Sequence, residues 1–415
     1  MNISNSQIQP YSYQPHIVKL LDFCKGLAII GVFLIHYPPS EFTISFGWQG
    51  VHIFIVLSAF GLTYSRLNKH KTNSWRQWYI KRAERIFPSY WLIVLLGFFL
   101  LFINSIFDYI FKQGNLIHSL LEPTATTIID ILLLRNFFAN TESGYPNPAL
   151  WFVPFIISFY LIFPWLHKKV VKSRKAKDYI LVLLVAAFVE FIYRGVSIYW
   201  LHSSPIAYGL HFLKTLPKSE FIISNQIPFG FFPSRIAEFV LGIVGAILFM
   251  KNQKKFEKLI LNNLVGVLGL FIWIAGNILL SVGLWGWVFS DFVIALGLIL
   301  FVINLAFLIQ KRLSPLFSIL SKLGILSYYI YLSHYLVLVF FTTEINKLAT
   351  KANLLNSLII KVLILGFTII VTGIASWMLM RFDRSKFAKE IVQKLIAWLP
   401  SLLKFGLNGR NSTKK

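Results

Sequence analysis

Lys25 and His36 lie eleven residues apart in the apolar run KGLAIIGVFLIH, and Asp22 precedes Lys25 by three. On a helix this spacing separates Lys25 and His36 by roughly 16 Å and keeps them on nearly one face. An acid, an ammonium and an imidazole then share one stripe of an apolar helix. Titratable groups there are costly unless they face a cavity or a partner. The unperturbed imidazole titrates near neutrality, which suits His36 to act as a general base toward a hydroxyl. His36 and Asp22 are therefore the candidate catalytic groups, and Lys25 is placed to hold an anion at the other end. A plainer reading also stands: an interfacial Asp22–Lys25 ion pair that sets the helix depth, with His36 at a membrane boundary.

Three further groups carry polar side chains at helical spacing. In KRAERIFPSYW, Arg82 and Arg85 are three apart, and their guanidinium forks suit the doubly bonded oxygens of a coenzyme phosphate. The bland alternative is the positive rim of any membrane protein. In SRIAEFVLGIVG, Arg235 and Glu238 form an i,i+3 pair that either lowers each other's insertion cost or meets a polar substrate. Gly242 and Gly245 follow, where small residues permit close helix approach. In SYYIYLSHY, Ser327, Tyr331 and His334 fall on one face, as a second polar site or as aromatic-belt packing. Trp151, between Pro148 and Pro154, either stacks on a sugar or anchors the interface. Tyr331 is a candidate donor to an oxyanion. His52, on an apolar run, reads as structural or gating. Cys24 is the only cysteine, so disulfides, thiolate clusters and CxxC pairs are excluded, and it reads as packing. No GxxxxGK[ST], HExxH, GxSxG or dinucleotide-binding glycine pattern occurs, no histidine spacing suits zinc, and no metal is expected.

These side chains need membrane helices to position them. The 415 residues are 56% hydrophobic and only 13% charged, with a mean hydropathy of +0.67. Soluble domains carry nearly twice that charge fraction. The net charge of +24 does not point to nucleic acid, because the basic residues cluster between apolar stretches long enough to span a bilayer. The expected fold is all-α, a polytopic transmembrane bundle of about ten spans: 20–37, 48–64, 86–104, 149–167, 179–200, 231–250, 259–280, 287–309, 325–341 and 355–380. The short apolar segment Thr127–Phe138, holding Asp130 and Arg135, reads as an interfacial or re-entrant helix. Basic clusters at Arg66–Arg85, Lys168–Lys177, Lys251–Lys258, Lys311–Lys322 and beyond Arg381 put both termini in the cytoplasm. The first apolar stretch reads as a retained insertion signal. Residues 20–380 then form one transmembrane domain. A cytoplasmic segment, 1–19, precedes it, and a basic tail, 381–415, with a surface-lying amphipathic helix over Lys386–Leu403, follows. No internal repeat is evident, which weighs against a carrier.

Several of these segments, in order, resemble the acyltransferase 3 family of integral-membrane O-acyltransferases, which includes enzymes that acetylate bacterial surface polysaccharides. LDFCKGLAIIGVFLIH is similar to the family's opening pattern through Asp22, Lys25, Gly26 and His36, with Lys25 in place of the commoner arginine. HIFIVLSAFGL resembles its FFVLSGF stretch, with Ala59 in place of glycine. Arg82, Arg85, Pro88 and Tyr90 match its RxxR element; Trp151, Phe152, Tyr160 and Pro164 match its WF block. Arg235, Glu238 and Gly242 match the next block, and Gly324, Ser327, Tyr328, Tyr331 and His334 match the last. Where many members carry a glutamate after the WF element, this chain has Ile156 and Ile157.

The resemblance implies transfer of an acyl group, most simply acetyl from acetyl-CoA or another acyl-CoA as donor substrate, to a sugar hydroxyl of a surface or lipid-linked glycan. It implies no permanently bound cofactor. Arg82, Arg85 and Lys25 would serve the donor, while Trp151, Arg235, Glu238, Ser327, Tyr331 and His334 would serve the acceptor or support the site. The expected surroundings are membrane lipid in the bacterial cytoplasmic or inner membrane, with polysaccharide-synthesis proteins as partners and no nucleic acid. A non-enzymatic carrier of a glycan or lipid precursor, with His36, Glu238 and His334 as relay sites, and an idle membrane scaffold are the alternatives.

Overall fold

Apolar runs become helices throughout. The computed structural model describes residues 15–37, 46–68, 74–112, 116–138, 147–205, 227–351 and 357–408. The helices are α1 (Pro15–His36), α2 (Gly50–Leu67), α3 (Trp75–Lys112), α4 (Leu116–Ile131), α5 (Phe152–Val171), α6 (Ala176–Tyr199), α7 (Ile236–Lys251), α8 (Gln253–Ile260), α9 (Asn263–Leu280), α10 (Leu284–Arg312), α11 (Ser314–Val337), α12 (Thr343–Lys351), α13 (Leu358–Arg384) and α14 (Lys386–Asn408). Among the described residues, nine helical stretches are long and apolar enough to cross a bilayer. The 22-residue α1 stands apart from them by carrying Lys19, Asp22 and Lys25. The fold is an all-α, multi-pass membrane bundle. Much of the two long connections, including Tyr145, Pro146 and Pro217, lies outside the described residues, as does most of the segment 1–19.

The chain divides into two compact units, and α11 contributes to the first up to Ser327 and to the second from Tyr328. The first unit holds α1, α2 and α5–α10. Its core joins Phe23, Cys24 and Ala28 of α1 to Val56 and Phe60 of α2, Ala246 and Phe249 of α7, Ala295 and Val302 of α10, and Phe317 and Leu320 of α11. Small residues let these backbones touch. A Cβ on Gly26 would strike the Leu320 carbonyl, and one on Gly324 would strike the carbonyl of Asp22. A Cβ on Gly242 would likewise strike the Val56 carbonyl. Gly245 is looser, since a Cβ there would meet Phe60 only at 3.6 Å. Gly283 adopts φ +104°, the left-handed region that glycine alone enters freely, and turns the chain from α9 into α10.

The second unit holds α3, α4, α12–α14 and the end of α11. Pro88 sits inside the 38-residue α3, where it cannot donate a helical hydrogen bond. The disturbance is met from α13: Asp383 Oδ1 accepts from the Ser89 amide at 3.0 Å and from its hydroxyl at 2.6 Å. The Tyr90 hydroxyl donates to the Asp130 carbonyl at 2.8 Å and so ties α3 to α4.

The Thr127–Phe138 expectation is corrected here. The helix starts earlier, at Leu116, and stops at Ile131. Leu133 then turns the chain at φ +60°, and Arg135 folds back on Asp130, with Nε donating to Oδ1 at 2.6 Å. Burial pushes the Asp130 carboxyl above its ordinary value, with Arg135 pulling the other way. The tail does form a helix, α14, with Ala388 and Val392 buried. Its Gln393 donates to Glu84 of α3 at 2.8 Å.

Candidate functional site

On α1 the expected stripe exists as two separate devices. Lys25 Nζ donates to Asp22 Oδ1 at 3.1 Å. With side chains 31% and 18% exposed, this pair is close to a surface salt bridge, worth at most about 1 kcal/mol. Its value is positional, because the Asp22 backbone is pressed against Gly324. The two charges edge a cleft of about 220 Å³ whose other walls are apolar, among them Leu21, Leu57, Phe60, Gly61 and Tyr64. An ammonium thus stands at the mouth of an apolar slot between α1 and α2.

His36 lies at the far end of α1, half-buried, with Nδ1 2.8 Å from the Val32 carbonyl. A carbonyl can only accept, so Nδ1 carries the proton of the neutral ring and Nε2 carries the lone pair. This tautomer presents Nε2 as the basic nitrogen.

A cluster of buried charges in the first unit is carried by α2, α6, α10 and α7 with its N-cap residue, Arg235. His52, Glu190, Arg194, Arg235, Glu238 and Asp291 are all buried. Asp291 Oδ2 accepts from Arg194 at 2.7 Å and from Arg235 at 3.0 Å. Arg235 Nη1 lies 2.8 Å from His52 Nδ1 and donates to Glu238 Oε1 at 3.4 Å. Glu238 Oε1 is also 2.9 Å from His52 Nδ1. Arg194 further donates to the backbone carbonyls of Trp287, Val288 and Ser234. Trp48 packs on His52 and stacks with Trp287 at 6.0 Å. With Phe229 and the α1 residue Ile35, these two rings form one cluster over the charges.

His52, Glu238 and Asp291 each offer a ligand atom within 4.8 Å of the others, the spacing of a metal site. The Arg235 guanidinium reaches all three residues, so it supplies the positive charge that a metal ion would bring.

Arg235 and Glu238 are legible in sequence; His52 reads there as structural or gating, and Glu190, Arg194 and Asp291 are missed. The available signal is the presence of ionisable residues inside spans, above all the i,i+4 pair Glu190 and Arg194 and the acid Asp291 in an apolar α10.

The remaining candidates are dispersed. Trp151 is half-buried in the first unit; its carbonyl accepts from Asn136 at 3.1 Å and its ring packs on Phe155. Ser327 is buried on α11. In the second unit Arg82 lies 5.6 Å over the Trp78 ring, while Arg85 is exposed. The Tyr331 hydroxyl donates to the Ala149 carbonyl, so its expected role as an oxyanion donor meets a group already engaged. His334 Nδ1 donates to the Tyr331 carbonyl at 2.7 Å. Ile156 is buried and Ile157 half-buried on α5.

The family model described as an acyltransferase domain, acyltransferase 3, matches residues 18–378. The chain belongs to the acyltransferase 3 family. No curated protein and no solved structure matches it. As a member, this multi-pass protein is an acyltransferase-type membrane enzyme, and the family implies an acyl-CoA-dependent mechanism. The α1 stripe and the cluster around Arg235 lie inside the matched region. So do Arg82 and Arg85.

Proposed function

We propose that this acyltransferase moves an acetyl group from acetyl-CoA to a sugar hydroxyl of a surface or lipid-linked glycan, in the bacterial cytoplasmic membrane with both termini inside. The observation that carries the reading is the orientation of His36: the Val32 carbonyl fixes the proton on Nδ1 and leaves Nε2 to act as base. In the transfer the acceptor oxygen forms the new ester bond, the thioester C–S bond breaks, and the hydroxyl proton passes to Nε2 before it reaches the departing sulfur. Asp22 holds Lys25; the family resemblance assigns Lys25 to the anionic donor, and likewise Arg82 and Arg85. Trp151, Arg235, Glu238, Ser327, Tyr331 and His334 serve the acceptor or hold the fold around it.

The test is incorporation of labelled acetyl into cell glycans, read by mass spectrometry. His36→Ala is expected to abolish the added acetyl mass at normal protein level. Unchanged incorporation would remove His36 from the chemistry. Gly61→Leu provides a second test of the donor side, because Gly61 lines the cleft beside Lys25 and a Cβ there meets no atom of the described residues within 4 Å. It is expected to raise the KM for acetyl-CoA several-fold with the fold intact; an unaltered KM would place the donor elsewhere.

A further inference from the structure

The buried cluster of α2, α6, α7 and α10 has one carboxyl more than its guanidiniums can neutralise. Glu190, Glu238 and Asp291 face Arg194 and Arg235. Two of the acids are engaged by those bases: Asp291 accepts from both arginines and Glu238 accepts from Arg235. Glu190 is different. Among the described residues neither arginine donates to it: its Oε2 accepts the Ala237 amide at 2.8 Å and its Oε1 is buried without a hydrogen-bond partner, whereas Glu238, whose Oε2 is also unpartnered, keeps Arg235 on Oε1. Glu190 is 0% exposed. An ionised carboxylate in such a position costs several kcal/mol even after relaxation. A neutral acid avoids most of that.

His52 is the other group able to balance the charge, by becoming an imidazolium. Its surroundings oppose this. Arg235 Nη1 stands 2.8 Å from Nδ1 and 3.4 Å from Nε2. Glu238 Oε1, 2.9 Å from Nδ1, accepts a ring proton there, so Arg235 needs the lone pair on Nε2, which an imidazolium lacks. A neutral His52 supplies one. The two arginines then offset Glu238 and Asp291, to which they donate, and the net charge vanishes when Glu190, to which neither donates, carries a proton.

We propose that Glu190 is a neutral carboxylic acid, so that the cluster is a proton-binding site holding one exchangeable proton inside the bundle. The charged groups facing that proton are Glu238 of α7, Arg194 on the same helix and Asp291 of α10. Behind them stand Arg235 and His52 of α2. The inference does not depend on the acyl-transfer reading, because it concerns charge balance in the resting protein.

The folded protein then holds a proton that an unfolded glutamate, with a pKa of about 4.3, has released at neutral pH. Where the folded state binds more protons, stability falls as pH rises. The probe is full-length protein in lipid nanodiscs, studied by infrared spectroscopy in H2O and D2O and by thermal unfolding from neutral to alkaline pH. The wild type is expected to show the C=O band of a neutral carboxylic acid, shifted by deuteration, and an unfolding temperature that declines with pH. Glu190→Gln copies the shape of the neutral acid without a titratable proton. It is expected to remove that band, flatten the decline and unfold no earlier than wild type at pH 7. The proposal is overturned if the band survives in Glu190→Gln, if wild type lacks it, if the decline persists, or if the glutamine variant fails to assemble.

Discussion

Arg235 donates to Glu238 and Asp291 and abuts His52, so its loss strands the Glu238 carboxylate and leaves Asp291 with Arg194 alone. Arg235→Met is expected to lower stability by about 3–5 kcal/mol, the usual consequence of breaking one side of a buried ion pair, measured as detergent-solubilised unfolding. Arg235→Lys should recover little, because an ammonium cannot span Glu238 Oε1 and Asp291 Oδ2 as the guanidinium fork does. Combining Arg235→Met with Asp291→Asn should cost clearly less than the sum of the two singles, since the residues share one network. Additive losses would mean that the contact contributes nothing. The His36 tautomer belongs to the same scale: one backbone carbonyl, belonging to Val32, decides which nitrogen is basic.

Between elements, the decisive contacts are made by absent side chains. Gly26 of α1 and Gly324 of α11 each press on the backbone of the opposite helix, whereas a methyl on Gly366 of α13 would meet no atom within 4 Å. Gly26→Val and Gly324→Val should therefore reduce the yield of folded protein severely, as read by size-exclusion profile. Gly366→Ala should be neutral or slightly stabilising, gaining up to about 1 kcal/mol of helix propensity. Equal behaviour of the three variants would contradict the tight crossing.

The helices themselves are legible because about twenty apolar residues have few other fates. The family's ordered motifs make Gly26, Gly242 and Gly324 visible as well. What sequence does not disclose is pairing. Asp291 meets a base 97 residues away, and one chain read alone contains no sign of which acid finds which arginine. The end of α4 is hidden for another reason: a left-handed leucine at 133 has no residue-type signature.

For the molecule as a whole, the sequence makes its own orientation testable. Cys24 is the only cysteine and is buried, so Cys24→Ala should give a cysteine-free protein with a small loss of stability. Single cysteines placed at Ser4 or Ser412 in that background are expected to react with an impermeant maleimide only after the cells are opened. Labelling of either site in intact cells would reverse the assignment of that terminus to the cytoplasm.

The buried charges also impose a schedule on assembly. Arg194 and Asp291 are 97 residues apart, which at about 5–20 residues per second means roughly 5–20 s of synthesis between them. During that interval α6 has been made with Arg194 but without α10, whose Asp291 neutralises it. The nascent chain must keep α6 beside the insertion machinery, out of free lipid, until α7 and α10 arrive. Insertion of these helices is a joint event, with the ionic cluster closing only when the last of them is in place.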